Sequence, residues 1–170
     1  MTSYSLNRPE QRAALTGELL DAVNTLWFEI DHSGGSAASG FFTPNATLTF
    51  DQRTFTGTAE IDEVYTTRAA RGPRVSRHLA TNLVVVRADA TTATAVSIML
   101  LFAQDGTAPQ MLTSPTAVGD VVDDFVLSDG RWLIRSRVIR MLFLASHNAL
   151  AVPTQKLKSS PEPAPKDNTP

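Results

Sequence analysis

The chain has 170 residues, 42% of them hydrophobic, with 15 Lys and Arg against 17 Asp and Glu and no cysteine. That length suits one domain with a real core, and the composition excludes a wholly disordered chain. The near-neutral charge argues against a nucleic-acid binder, which needs a basic face for phosphates, and the missing thiol excludes disulfides, thiolate metal sites and cysteine nucleophiles.

The first periodic segment runs from about Pro9 to His32. Leu15, Leu19, Ala22, Val23, Leu26, Trp27 and Ile30 recur at three- and four-residue steps, the stripe of an amphipathic helix. Asn7 is the expected N-cap, with Glu10 at capping-box spacing, and Ser33-Gly34-Gly35 ends the helix. A short helical turn is expected over Ser36–Phe42 and a turn at Pro44-Asn45. Ala46–Phe50 then reads as a strand with Thr54–Thr56 as its hairpin partner. Thr58 is the expected N-cap of a helix over Ala59–Ala70, stopped by Gly72-Pro73. Segments 76–87, 92–104, 117–127 and 131–145 are rich in Val, Ile, Thr and Leu and are separated by Asp89-Ala90, Asp105-Gly106 and Asp129-Gly130. Helices first and long strands after them predict an α+β fold with an antiparallel sheet rather than βαβ units. The folded domain is expected over residues 7–152. Residues 153–170 hold five prolines and almost nothing apolar, the composition of a disordered tail.

Residues 1–10 lack the apolar core of a signal peptide, and the longest apolar run, Val96–Ala103, is too short to cross a bilayer. The expectation is a cytoplasmic protein that binds neither membrane nor nucleic acid. The histidines and carboxylates show no metal-ligand spacing, so neither a metal nor another cofactor is expected.

Two residues stand out for chemistry. Asp31 ends the first helix on the side of its apolar stripe, against the unfavourable end of the helix dipole. His78 begins the first long strand, and strict alternation puts Ala80, Asn82 and Val84 on its face. A carboxylate beside an imidazole fixes the ring tautomer and makes a proton-transfer dyad; the other reading is a loop-binding aspartate and a structural histidine. His32 is turned about 100° from Asp31 on the helix and is expected to be exposed. His147 lies beyond the last strand, at a cavity mouth or in solvent. Arg68, Arg71, Arg74 and Arg77 read as a dispersed, solvated set, with an anion clamp as the sharper option. Arg135, Arg137 and Arg140 read as the outer face of the last strand, with Asp123 or Asp124 pairing an arginine across the hairpin.

The segments "EIDHSG", "FFTPNATLTF", "FTGTAEIDEVY", "RHLATNLVV" and "VGDVVDDFVLSDGRWLIRSRVIRMLF" resemble the SnoaL-like branch of the nuclear-transport-factor-like superfamily, over about residues 10–147. The resemblance implies a cone-shaped α+β barrel, a strongly curved antiparallel or mixed sheet wrapped around the N-terminal helices to enclose a cavity. It implies that Asp31 and His78 meet inside the cone, and that Trp27, Phe50, Tyr65, Asn82 and Met99 line the cavity for a small hydrophobic molecule. The implied activity is cofactor-free proton transfer by a lyase or isomerase on an apolar, carbonyl-bearing ring compound of polyketide, steroid or terpenoid type. The same fold also hosts non-catalytic ligand-binding or oxygenase-partner modules, and epoxide hydrolases whose site is a carboxylate–arginine–carboxylate set. The chain departs from the scytalone dehydratase pattern by placing Ile30 and Phe50 where tyrosines are expected. A homo-dimer or homo-trimer through the outer sheet face is the implied assembly.

Overall fold

The computed structural model describes residues 8–111 and 114–145, with Leu150 and Val152. Asn7, His147 and the expected tail at 153–170 lie outside the described residues. Two helices pack against one curved sheet of six strands. Helix α1 spans Pro9–Ser33 and helix α2 spans Gly57–Ala69. The strands are β1 Phe42–Phe50, β2 Arg53–Thr56, β3 Arg74–Ala88, β4 Thr92–Asp105, β5 Ala117–Ser128 and β6 Arg131–Leu144. Their order is β2-β1-β6-β5-β4-β3. All neighbours are antiparallel except β1 and β6, so the sheet is mixed. The α+β class is as expected; the sheet is open, not a closed barrel, with β2 and β3 at its edges.

The apolar stripe of α1 accounts for its position. Leu15, Leu19, Val23 and Leu26 are wholly buried, together with Ile61 of α2, Phe125 of β5, and Ile134 and Ile139 of β6. Some boundaries differ from expectation. The N-cap of α1 is Arg8, not Asn7, and it makes no side-chain cap; Pro9 in the first turn lacks the N–H that would need one. The N-cap of α2 is Thr56, not Thr58, and the Thr56 N–H donates to Glu60 Oε2 at 2.7 Å. Pro44-Asn45 is no turn: it lies inside β1, where the register against β6 shifts between Phe42 and Thr47. A proline cannot donate to a ladder, and an irregularity absorbs that loss.

Bulges decide which side chains face inward. In β3, even-numbered residues Ser76, His78 and Ala80 face the helices, opposite Ala103, Leu101 and Met99 of β4. Between Thr81 and Val84 the register slips by one residue, with Asn82 at φ 53°. Asparagine tolerates this left-handed conformation better than most residues. Past the bulge the odd-numbered Leu83 and Val85 face inward, and Val84 and Val86 are exposed. Strand β6 has a similar slip between the pairs Asp124–Ser136 and Phe125–Ile134, so its buried set changes from Trp132 and Ile134 to Arg137 and Ile139.

The turn after α1 is built on two glycines with positive φ, Gly34 at 69° and Gly35 at 79°. The Gly35 N–H donates to Glu29 O at 3.3 Å, and Glu29 Oε1 accepts from the Ala37 N–H at 2.9 Å. A β-carbon at Gly35 would sit 2.6 Å from the Tyr65 ring, whereas one at Gly34 meets nothing within 4 Å. Gly34→Ala should therefore cost only the left-handed penalty, about 1 kcal/mol. Gly35→Ala adds overpacking against Tyr65, for a total of about 2–4 kcal/mol. Denaturant unfolding of the two variants measures this, and equal losses would show that the approach of this turn to Tyr65 is not as tight as described.

Candidate active site

Asp31 is carried by the last turn of α1, and β3 supplies its partners. His78 Nδ1 lies 2.7 Å from Asp31 Oδ1, the His78 backbone N–H donates to Asp31 Oδ2 at 2.6 Å, and Ser76 Oγ donates to Oδ1 at 2.7 Å. The two side chains are 4% and 10% exposed. Burial alone would raise the Asp31 pKa, but the hydrogen bonds and charge of His78, with the Ser76 hydroxyl, bring it below its ordinary value. Burial takes the His78 pKa below its ordinary value; Asp31 pulls it up, while Arg74 and Arg137 push it further down. A neutral imidazole beside an ionised carboxylate puts the ring proton on Nδ1, donating to Asp31. Nε2 is then left as a lone-pair acceptor with no hydrogen-bond partner among the described residues.

Both residues line a cavity of about 510 Å³ between α1, α2 and the concave face of the sheet. Trp27, Phe50, Tyr65 and Met99 line it too, with Leu101, Met141 and Leu150 adding further apolar wall. Asn82 does not: the bulge turns it outward, and it is exposed. His32 is exposed as expected, stacked on Phe28 at the cavity rim with Nδ1 3.0 Å from Phe28 O. Burial pushes the Tyr65 phenol up to about 12, so it stays protonated, and its hydroxyl has no hydrogen-bond partner among the described residues. Among the described residues no three His, Asp or Glu side chains converge on a metal position, and no helix is long and apolar enough to cross a membrane.

Two groups of arginines differ from the sequence reading. Arg137 is not on the outer face. It is 1% exposed and bidentate to the 3% exposed Asp123, Nε to Oδ1 at 2.7 Å and Nη2 to Oδ2 at 2.8 Å. Its guanidinium carbon lies 4.8 Å from the centre of the Trp27 ring, and Trp27 stacks on His78 with centroids 4.3 Å apart and planes within 2°. Neither Arg137 nor Asp123 lines the cavity. Nor are Arg68, Arg71 and Arg74 dispersed: Arg68 binds Asp105 and the Gly72 carbonyl, Arg71 binds the Leu150 carbonyl at 2.8 Å, and Arg74 lines the cavity with Arg68. Regular spacing in sequence gave no sign of this, because the Gly72-Pro73 turn, not one helix face, brings them together.

Two outcomes follow for stability. Asp123→Ala leaves a buried guanidinium without its carboxylate and should cost about 3–5 kcal/mol in denaturant unfolding, much of it recovered when Arg137→Met is added. A single-variant loss under about 1 kcal/mol would contradict a fully desolvated Arg137–Asp123 pair. The second concerns pH. His78 titrates in the fold below the ordinary imidazole value of about 6.5. Its contribution is therefore complete above pH 6.5 and is lost as the pH falls through the folded value, because the unfolded chain binds the proton first. His78→Phe should flatten the pH dependence of unfolding below 6.5, and an unchanged slope would contradict a neutral buried imidazole.

The profile of the SnoaL-like domain family matches residues 11–138. No curated protein matches significantly. Among solved structures, a protein assigned as a scytalone dehydratase from Novosphingobium aromaticivorans is similar with a TM-score of 0.70 at 14% identity, over 80% of this chain and 89% of that one. The beta subunit of a protein assigned as an aromatic-ring-hydroxylating dioxygenase from the same organism gives 0.67 at 14%, over 78% and 92%. ActVI-ORFA from Streptomyces coelicolor gives 0.64 at 20%, over 75% and 98%. These likenesses establish a common fold, and the profile match over most of the length makes this chain a member of the SnoaL-like domain family.

Proposed function

We propose that the protein is a cofactor-free lyase or isomerase that moves a proton on an apolar, carbonyl-bearing ring compound, with His78 as the general base and Asp31 as its positioning partner. The observation that carries this reading is the 2.7 Å contact between His78 Nδ1 and Asp31 Oδ1 inside the cavity, which leaves Nε2 as the acceptor. In the proposed step a C–H bond next to the carbonyl breaks, the proton goes to His78 Nε2, and the electron pair moves to the carbonyl oxygen as an enolate. The Tyr65 hydroxyl is the neutral donor available for that oxygen. Proton return elsewhere on the ring completes an isomerisation; loss of a β-hydroxyl as water completes a dehydration. The apolar wall of Trp27, Phe50 and Met99 excludes water, so the few polar groups act at low dielectric.

A reaction-independent test is hydrogen–deuterium exchange at the α-carbons of 2-tetralone in D2O, followed by NMR. The wild type should accelerate exchange over buffer. His78→Ala should lose about a hundredfold or more of that acceleration, and Asp31→Asn should lose a large part. A His78→Ala rate within about threefold of wild type would sink the general-base assignment. The likeness to a dioxygenase beta subunit favours a second reading, a non-catalytic ligand-binding or oxygenase-partner module; it predicts that both proteins exchange at the buffer rate.

A further inference from the structure

One wall of the cavity carries an arginine with no hydrogen-bond partner among the described residues. Arg74 opens β3 two residues before Ser76 and four before His78, on the same face of the strand. Four strand residues span about 13 Å, which sets the Cα separation of Arg74 and His78 along the cavity wall. Most charges near Arg74 are already satisfied. Asp31 accepts from His78 and Ser76. Arg68 is held by Asp105, which is 60% exposed, and Arg71 reaches the Leu150 carbonyl. Arg74 has no ion pair or hydrogen bond among the described residues, and its Nε is buried. Arg68 Nε is a second buried N–H with no acceptor among them. Both arginines line the cavity. Buried donors without acceptors are rare and costly, and an unpaired guanidinium on a cavity wall has Nη donors suited to an anionic oxygen pair. Burial and the neighbouring Arg68 bring the Arg74 pKa down to about 10, so it is still a cation at neutral pH.

We propose that the Arg74 guanidinium is a carboxylate-binding subsite, and that the ligand is a ring compound carrying a carboxylate besides its reacting carbonyl. This rests on the cavity reading above and adds the substrate class. Binding can be followed by quenching of Trp27 with two probes of similar size, 2-naphthoate and the uncharged 2-acetonaphthone. The wild type should bind 2-naphthoate about tenfold or more tightly than 2-acetonaphthone. Arg74→Gln should abolish that preference by weakening 2-naphthoate alone, and Arg74→Lys should keep part of it. Arg77→Gln, which removes an exposed arginine on the opposite face of β3, should leave it intact. Thermal melts of the Arg74 variants separate loss of a contact from loss of the fold, and 2-acetonaphthone binding gives the same control in the assay itself. Equal binding of the two probes by the wild type, or a preference that survives Arg74→Gln, overturns the subsite and leaves the dyad standing. Failure of both probes to bind the wild type overturns the cavity as a ring-compound site and takes the subsite with it.

Discussion

A carboxylate taken out of water must find its hydrogen bonds in the protein, and Asp31 finds them on one strand. Its partners are a ring nitrogen, a backbone N–H and a hydroxyl, all from Ser76 and His78. That contact fixes where the C-terminal end of α1 meets the start of β3. Trp27 lies one helical turn before Asp31, so the same anchoring lays the indole flat against the imidazole. Beneath that stack the buried Arg137–Asp123 pair joins β6 to β5. The helix end, the edge strand and the middle of the sheet are thus tied into one arrangement with His78 at its centre.

The arrangement also sets the protonation state. An imidazole with a carboxylate partner is often read as an imidazolium, but here burial outweighs Asp31, and two nearby guanidiniums act in the same direction as burial. The ion pair at the centre of the protein is Arg137–Asp123, whose charges are bidentate and complete. The dyad carries a single negative charge on Asp31 and an uncharged ring. A cation that lines the cavity without a hydrogen-bond partner among the described residues is Arg74. The cavity therefore combines an uncharged base, a carboxylate and a guanidinium in an otherwise largely apolar wall.

Much of this was legible in the residues, and the parts that were not share a cause. Strand β5 keeps strict alternation, and Asp123 falls on its buried face with Val121 and Phe125, as the period of two requires. The stripe of α1, the four long strands and their separating turns follow from periodicity and turn chemistry. Asp31 and His78 came from the family resemblance and from an aspartate in an electrostatically poor position. Asn82 and Arg137 were misplaced because each lies where a bulge reverses the alternation, Asn82 at one and Arg137 just past another. An asparagine followed by the unbroken run Val84-Val85-Val86 was the available sign in β3. In β6 no residue type marks the slip. The converging arginines depend on a loop path through Gly72-Pro73, which no period describes.

The bulge at Asn82 has a further consequence for how the protein tolerates change. It divides β3 into a segment bearing Ser76 and His78 and a segment that ends at the Asp89-Ala90 hairpin. A second slip follows between Val85 and Arg87. Length changes in that hairpin can be taken up at these two irregular points before they reach the segment that holds Asp31. The distal half of the edge ribbon, with its exposed Val84 and Val86, can thereby change in sequence and length while the spacing from Arg74 to His78 stays fixed. The irregular residue acts as a joint between the segment that holds Asp31 and a segment that can be exchanged.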